Sequence, residues 1–130
     1  MRHARWQTAI CKFFFRAEWN CSVAIGLTIR TGPYRWRIPD VVVLDKTLSE
    51  WTTEPPLAVF EVLGDEDCCT GMREKLAEYE GIGVPQIWMV DSDDGAFIQY
   101  LNGGLRMEET TFRHEDIAFE LPEIAALLRH

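Results

Sequence analysis

The stretch FEVLGDEDCCTGMREKLAEYE, residues 60–80, predicts a strand, an acidic loop and then a helix. The strand, Leu57–Leu63, is apolar except for Glu61, and such runs are typical of strands that are covered on both faces. Thr70 is a suitable N-cap for a helix that runs to about Glu80. A buried strand followed by a helix predicts a layered fold in which helices pack on a sheet.

Upstream of this stretch, the sequence predicts one helix and two further strands. Residues 3–17 carry apolar side chains at three- and four-residue spacing, which indicates a helix with an apolar stripe. Ser22–Arg30 alternates and is rich in β-branched residues, so it predicts a strand that ends at the turn Thr31-Gly32-Pro33. Ile38–Leu44 is nearly all apolar and predicts another buried strand, and a polar connector, Lys46–Pro56, follows it.

Downstream, Gln86–Val90 predicts a short buried strand. Turn residues then separate two strands of a hairpin, Ala96–Leu101 and Leu105–Thr110, and a short helix is expected over Glu123–Arg129 behind Pro122. The predicted fold class is α/β, with a mixed sheet flanked by helices in the order α-β-β-β-α-β, then a C-terminal hairpin and a short helix. A length of 130 residues predicts a single domain over 1–130.

Composition excludes several classes of protein. Apolar residues make up 47% of the chain, which is enough for a packed core and unlike a disordered segment. The sequence contains no run of about 18 apolar residues, so no membrane span is predicted. The N-terminus does not resemble a signal peptide, and we therefore expect a cytoplasmic protein. The four cysteines lack the spacing of a zinc site, and free thiols are expected.

Charge is distributed unevenly along the chain. Residues 1–46 contain eight Lys or Arg and three acids, a net charge of +5, whereas residues 47–130 contain five and eighteen, a net charge of −13. A nucleic-acid-binding protein usually presents a basic surface, and here the N-terminal third would have to supply it. The alternative is an ordinary solvated surface. The basic residues in question are Arg2, Arg5, Lys12, Arg16, Arg30, Arg35 and Arg37.

Two acids are placed unusually for buried strands. Glu61 interrupts one apolar strand, and Asp40 stands where the loop enters the strand that begins with Val41. An ionised carboxylate inside a sheet is costly unless it is paired or binds a metal. Two such acids on two central strands therefore indicate a shared partner, and a divalent cation with oxygen ligands, Mg²⁺ or Mn²⁺, fits them best.

Lys75 is the third candidate. Met72, Leu76 and Tyr79 form the apolar stripe of the predicted helix, and Lys75 lies on the same stripe, whereas Glu78 is expected to point outward. A lysine on a buried face extends its amine to water or pairs with a carboxylate, and a purely structural pair with Glu61 is one interpretation. The other is metal-assisted phosphodiester cleavage, in which the lysine assists the attacking water.

These segments resemble a known family. The Pro-Asp of RIPDVVVLD (residues 37–45), the strand VFEVL (59–63) and KLAEYEGIGVPQIWMVD (75–91) are similar to the Uma family of nucleases, within the restriction-endonuclease-like PD-(D/E)xK superfamily. The resemblance covers most of the chain. Its most specific part is a set of residues whose spacing matches the family: Lys75, Tyr79, Gly83, Val84, Trp88 and Asp91.

The resemblance implies a restriction-endonuclease-like fold and a Mg²⁺-dependent endonuclease that hydrolyses DNA, and a homodimer is compatible with this activity. Asp40 and Glu61 would be catalytic metal ligands, and Lys75 would assist the attacking water. In the superfamily the lysine usually lies two residues after the strand acid, where this chain has Leu63. In the Uma family it has migrated to the following helix, and Lys75 matches that position.

Some positions depart from the family. Its aspartate one helical turn before the lysine is Gly71 here, and Gly64-Asp65 replaces a Ser-Pro turn. These departures favour an alternative, a catalytically inactive nuclease-fold protein that acts as a nucleic-acid- or protein-binding module. A further alternative is a small dimeric interaction module that uses the aromatic-rich first helix.

Overall fold

The structure is a computed structural model that describes residues 2–16, 19–45, 55–64 and 69–129. Three helices are present in these ranges: α1 Arg2–Arg16, α2 Cys69–Gly81 and α3 Pro122–Ala125, which continues as a 3-10 turn over Ala126–Arg129. Ten strands accompany them: β1 Cys21–Ala24, β2 Ile29–Gly32, β3 Arg35–Arg37, β4 Val41–Asp45, β5 Ala58–Leu63, β6 Gln86–Asp91, β7 Phe97–Leu101, β8 Gly104–Arg106, β9 Thr111–His114 and β10 Ile117–Glu120.

Six strands form one mixed sheet in the order β1-β4-β5-β6-β7-β8. Only β5 and β6 among these neighbours run parallel, and α2 connects them. The remaining pairs in this sheet are antiparallel. Two separate hairpins, β2-β3 and β9-β10, complete the described strands. The α/β class with a mixed, helix-flanked sheet is confirmed, and β2-β3 is an insertion between β1 and β4.

Helices cover both faces of the sheet, so alternate residues of its central strands enter two different cores. One core lies under α1, α3 and the β9-β10 hairpin, and it includes Phe60 and Trp88. The other lies under α2 and includes Val59, Met89 and Tyr79. Burial of β5 on both faces explains why its sequence is a continuous apolar run.

The first helix matches its predicted position and buries its stripe against the sheet. Trp6, Ile10 and Phe14 are almost fully buried, as the three- and four-residue spacing requires. These rings are part of this chain's own core, whereas Phe15 is exposed. The aromatic residues of α1 are therefore mostly committed to folding, which does not favour the prediction that this helix is an interaction module.

The predicted strand Ser22–Arg30 is wrong. Two shorter strands, β1 and β2, occupy this region, and a bend with Gly26 at φ +77° separates them. A positive φ interrupts an extended backbone, and glycine adopts it without a Cβ penalty. The predicted turn at Thr31-Gly32-Pro33 is shifted as well, because Thr31 and Gly32 belong to β2 and the chain turns at Pro33 and Tyr34.

The C-terminal part also differs from the prediction. The strand Leu105–Thr110 is replaced by the shorter β8, and the β9-β10 hairpin was not predicted. Each strand of that hairpin buries few residues, among them Phe112 and Phe119, so its hydrophobic pattern is too short to recognise. The helix expected over Glu123–Arg129 is a single turn of α-helix followed by a 3-10 turn.

The other boundaries agree closely with the predictions. The strand predicted over Ile38–Leu44 begins later, at Val41, and Ile38 is exposed. Most of the connector Lys46–Pro56 and of the acidic loop lies outside the described residues, and so does the side chain of Thr70. In the described ranges, no helix is long and apolar enough to cross a membrane.

Candidate active site

Sheet register brings the two predicted acids together. Strands β4 and β5 are antiparallel, and Val41 pairs with Phe60, which places Asp40 beside Glu61. Because β4 runs in the opposite direction, its beginning meets the carboxyl end of β5. Asp40, which precedes β4, thus becomes the neighbour of Glu61, which is buried in β5.

Asp40 is held from three directions. Its Oδ2 accepts a hydrogen bond of 2.6 Å from the Val62 amide, which lies on β5 beyond the last paired residue of β4. His3 Nε2 of α1 lies 3.1 Å from Asp40 Oδ1, and Gln7 Nε2 donates to the Asp40 carbonyl oxygen at 3.0 Å. The Asp40 side chain keeps 20% of its surface exposed, so solvent and ligands can reach it.

Glu61 lies on the face of β5 that α2 covers, and its side chain is only 2% exposed. Tyr79 of α2 donates a hydrogen bond of 2.6 Å from its hydroxyl to Glu61 Oε2. Tyr79 is itself fully buried in the core beneath α2, so its ring is fixed by packing. The sequence predicted the core position of this tyrosine but not its contact with the acid.

Lys75 reaches the same carboxylate. Its Nζ lies 4.0 Å from Glu61 Oε1, and the side chain is 34% exposed. Lys75 and Tyr79 are one helical turn apart, so they share a face of α2. The structure thus brings all three predicted site residues together, with Asp40 and Lys75 partly open and Glu61 between them.

The surroundings of Glu61 oppose its ionisation. Burial raises the pKa of Glu61 from 4.5 to about 7, and the neighbouring Asp40 carboxylate contributes to the rise. The Tyr79 hydroxyl and the Lys75 amine act in the opposite direction, because both stabilise the anion. Burial and the adjacent Glu61 also raise the pKa of the Tyr79 hydroxyl above its usual range, so Tyr79 is a hydrogen-bond donor at neutral pH.

This donor set suits a small hard cation. Magnesium is commonly held by one or two carboxylates while it keeps several waters and contacts substrate phosphates. Asp40 and Glu61 provide two adjacent carboxylates whose mutual repulsion a divalent cation would relieve. Among the described residues there is no group of three or more His, Cys, Asp or Glu side chains arranged to bind a metal. Asp40 and Glu61 therefore fit a cation that also takes ligands from water and substrate.

A second charged cluster adjoins the site on α2. Glu78 accepts hydrogen bonds from Thr31 at 2.6 Å, from Arg35 at 2.8 Å and from Arg37 at 2.9 and 2.7 Å. These bonds, led by the one to Arg37, lower the pKa of Glu78 to about 2. The prediction that Glu78 points outward to solvent is wrong, because the unpredicted β2-β3 hairpin lies against it.

Sequence reasoning missed His3, Gln7, Tyr79 and Glu78 as neighbours of the site. A usable signal was present for Tyr79, since it lies four residues after Lys75 on the inward stripe. No comparable signal was present for His3 or Gln7, because their contacts join residues about 35 positions apart.

The site and fold agree with a sequence family. Residues 2–127 match the model of the Uma2 family, which is described as a putative restriction endonuclease. The chain belongs to the Uma2 family. The resemblance of the strand and helix segments to Uma nucleases is thereby confirmed, and membership supports a nuclease function for this Uma2 chain. No curated protein matches it significantly in sequence.

Solved structures share the fold of this Uma2 chain. The crystal structure of a putative nuclease belonging to DUF820 from Anabaena variabilis has a TM-score of 0.74 and 13% identity, and the match covers 98% of this chain and 82% of that one. The cryo-EM structure of a DrdV–DNA complex has a TM-score of 0.57 and 15% identity, and it covers 97% of this chain but 11% of that one. At these identities the likeness establishes the restriction-endonuclease-like fold.

Proposed function

We propose that this chain is a divalent-metal-dependent endonuclease that hydrolyses phosphodiester bonds of DNA. Asp40 and Glu61 would hold Mg²⁺ or Mn²⁺, and Lys75 would assist the attacking water. The observation that supports the proposal is the meeting of these three side chains near the carboxyl end of β5, in a chain of the Uma2 family, which is described as a putative restriction endonuclease. DNA is proposed as the substrate because the structurally similar DrdV is bound to DNA.

A divalent cation at the acid pair would polarise the phosphate and make water a better nucleophile. The chain's own residues would prepare the position. The Val62 amide and His3 fix the Asp40 carboxylate, and the Tyr79 hydroxyl fixes the orientation of Glu61. Tyr79 also stabilises the ionised form of Glu61, the form that can act as a ligand.

Lys75 is suited to act on the water or on the phosphate. Its amine lies beside Glu61 and remains one-third exposed, so a substrate phosphate can approach it. An ammonium in this position would orient the nucleophile by hydrogen bonding and would offset charge that develops in the transition state. Because this lysine lies on α2, the position two residues after Glu61 on β5 is free for Leu63. Leu63 is partly buried against the core.

Titration of Mn²⁺ into the protein, followed by calorimetry, tests this proposal without knowledge of a recognition sequence. We expect binding by the parent and at least a tenfold loss of affinity in Asp40→Asn, because one anionic ligand is removed. Asp116→Asn is a matched control, since Asp116 is exposed on the turn between β9 and β10. Circular dichroism would establish that each variant is folded.

A cleavage assay with Mg²⁺ on plasmid DNA and on single-stranded DNA completes the test. Asp40→Asn, Glu61→Gln and Lys75→Met should each reduce the cleavage rate by at least 100-fold, the order expected for loss of a group that acts in the transition state. Parent-like cleavage by Asp40→Asn would contradict the assignment. Metal binding without cleavage of any nucleic acid would instead favour an inactive, nuclease-fold binding module.

A further inference from the structure

The β2-β3 hairpin has a charge unlike that of the rest of the chain. Residues 19–39, which include it, contain three arginines and no Asp or Glu, although the whole chain carries a net charge of −8. These arginines are Arg30, Arg35 and Arg37, and the hairpin presents them close together: Arg30 lies on one strand, and the other two lie on the next. A local surface that attracts anions is thus present on an acidic protein.

One face of the hairpin is fixed to α2. Thr31, Arg35 and Arg37 all bond to the carboxylate of Glu78, and Ile29 packs against the core beneath α2. Glu78 carries one negative charge, which both arginines share. Arg35 in particular remains 58% exposed. Glu74 of α2 also acts electrostatically on Arg37, so Arg37 is the least available of the three.

The opposite face carries one exposed aromatic side chain, and the turn carries another. Trp36 is 59% exposed, and Tyr34, at the turn, is 98% exposed. Arg30 pairs with Trp36 across the hairpin and lies over its ring, with its guanidinium carbon 5.7 Å from the ring centroid. Arg30 also donates to the carbonyl oxygens of Gly32 and Pro33, which fixes its orientation. A rigid arginine–tryptophan pair is therefore presented to solvent.

An open depression adjoins the turn on the face that contacts α2. It has a volume of about 370 Å³, and its wall includes an exposed aromatic ring, an arginine and backbone of the turn. The lining residues are Thr31, Gly32, Pro33, Tyr34, Arg35 and Glu78.

The hairpin leads directly to the candidate active site. Only Ile38 and Pro39 separate the end of β3 from Asp40. Since an extended residue spans at most ~3.6 Å, the Cα of Trp36 lies within about 14 Å of the Cα of Asp40. Arg37 acts electrostatically on Tyr79, and Tyr79 donates a hydrogen bond to Glu61. The face of the hairpin that contacts α2 therefore lies near the acid pair.

We propose that the β2-β3 hairpin is a docking surface for a single-stranded segment of nucleic acid. Tyr34 and Trp36 would stack on unpaired bases, and Arg30 and Arg35 would contact the phosphates. The proposal deepens the proposed function, because it assigns a substrate form to the same site. Proteins that bind single strands combine a basic surface with exposed aromatic rings, since every base offers a face for stacking.

Charge complementarity favours a nucleic-acid strand over a second copy of the chain. In a symmetric dimer the same surface meets itself, so Arg30 and Arg35 of one copy would face those of the other. A phosphate backbone instead supplies the anions that this acid-free segment lacks. Duplex DNA is less suitable, because its bases are already stacked on one another and cannot cover Trp36 and Tyr34.

Fluorescence anisotropy of a labelled single-stranded oligonucleotide, measured in EDTA, tests the proposal independently of the metal site. We expect the parent to bind this oligonucleotide at least tenfold more tightly than the matching duplex. Tyr34→Ala and Trp36→Ala should each weaken binding by about tenfold, the order measured for loss of one base-stacking residue. Arg30→Gln should weaken binding and also reduce its dependence on salt by about one phosphate contact.

Phe15→Ala and Arg16→Ala are matched controls, because they remove an exposed aromatic ring and an exposed arginine from the end of α1. Both should bind the oligonucleotide as the parent does. The hairpin variants should retain Mn²⁺ binding, which separates loss of docking from loss of the acid pair.

Three results would overturn the proposal: no binding of the oligonucleotide by the parent, equal binding by the hairpin variants and the controls, or equal affinity for duplex and single strand. A dimer that dissociates in Trp36→Ala, found by light scattering together with absence of oligonucleotide binding, would assign the surface to a second copy instead. Loss of Mn²⁺ binding in Asp40→Asn does not affect the anisotropy result, so failure of the docking surface and failure of the metal site can be distinguished.

Discussion

Glu61 illustrates a conflict between folding and function at the scale of one residue. Its side chain is 2% exposed, in an environment that favours the protonated form, although ligation of a cation requires the carboxylate. The Tyr79 hydroxyl and Lys75 offset part of the cost without removing it. In the absence of a cation, the folded protein therefore becomes less stable when Glu61 loses its proton.

The pH dependence of stability should reveal this cost. The pKa of Glu61 rises from 4.5 in the unfolded chain to about 7 in the folded protein, so the folded state binds the proton more tightly. Stability should consequently fall as pH rises through this interval, by about 3 kcal/mol at about 1.4 kcal/mol per pKa unit. Glu61→Gln removes the titration. Its stability relative to the parent should increase by most of that amount between pH 5 and pH 8 in EDTA.

Urea unfolding at several pH values measures this difference. The comparison depends on the change with pH and not on the absolute effect of the glutamine, which also alters the contacts with Tyr79 and Lys75. Glu108→Gln, on an exposed residue, is the control for replacement of a carboxylate by an amide. A constant difference between Glu61→Gln and the parent across the range would contradict the assigned environment of Glu61.

At the same scale, sequence reasoning found the three reactive candidates but not the groups that hold them. Asp40, Glu61 and Lys75 stood out because each places a charge in an apolar pattern. The Val62 amide and His3 could not be found in this way. Backbone amides have no sequence signature, and His3 approaches Asp40 only through the packing of α1 on the sheet.

At the scale of elements, Glu78 determines how the β2-β3 hairpin sits on α2. The side chain of Glu78 is 17% exposed, and its carboxylate accepts hydrogen bonds from both strands of the hairpin. A hydrogen bond to a charged group contributes about 1.5–3 kcal/mol, and less where the donor is exposed, so this contact is a substantial part of what holds the hairpin on α2. The position of the hairpin should therefore depend on Glu78.

Glu78→Gln should loosen the hairpin and leave the main sheet intact. We expect amide hydrogen exchange over residues 29–37 to become at least tenfold faster, because the bonds to Arg35 and Arg37 lose their ionic component. Asp116→Asn, on the exposed turn between β9 and β10, is the control for replacement of a carboxylate by an amide and should leave exchange unchanged. Unaltered protection of the hairpin in Glu78→Gln would show that its packing alone holds it.

Acid should have a similar effect on the parent. The pKa of Glu78 is lowered from 4.5 to about 2, so its ionised form is stabilised by folding. The stability that Glu78 contributes is complete above the unfolded-state pKa and is lost as pH falls toward 2. Protection of residues 29–37 should decrease in that range.

Element boundaries could be predicted where apolar runs are long, as in α1 and β5. Prediction failed where the signal is carried by one or two residues. Gly26 divides a run that otherwise alternates like one strand, and β3 contains three residues, two of them arginine. Its strand conformation follows from pairing with β2 and contact with Glu78, both of which are tertiary interactions.

At the scale of the whole molecule, an aromatic cluster joins the C-terminal hairpin to the first helix and the sheet. The Phe112 ring lies 5.7 Å from that of Phe14, 6.2 Å from that of Phe60 and 4.9 Å from that of Phe119, between ring centroids. Elements from both ends of the chain thus share one core, although the β9-β10 hairpin was not visible in the sequence pattern.

Phe112→Ala should destabilise the protein by about 3–5 kcal/mol, the range observed for removal of a buried phenylalanine side chain. Phe112 is fully buried, and its removal leaves a cavity among rings that cannot easily close it. Urea unfolding at constant pH measures the loss. Met107→Ala, at a position that is 69% exposed, should change stability by less than about 0.5 kcal/mol. A similarly small effect for Phe112→Ala would mean that the hairpin is not part of the cooperative core.

The placement of Lys75 on α2 has a consequence for how this protein can diverge. Glu61 is fixed by the sheet and Lys75 by the packing of α2, so their meeting does not depend on the number of residues that connect them. Insertions or deletions between β5 and α2 should therefore be tolerated during evolution while the pair survives. When the lysine stands two residues after the acid on one strand, by contrast, a single inserted residue turns it to the other face of the sheet. Relatives of this chain should accordingly vary more in the length of this connection than in the identity of the residues at its two ends.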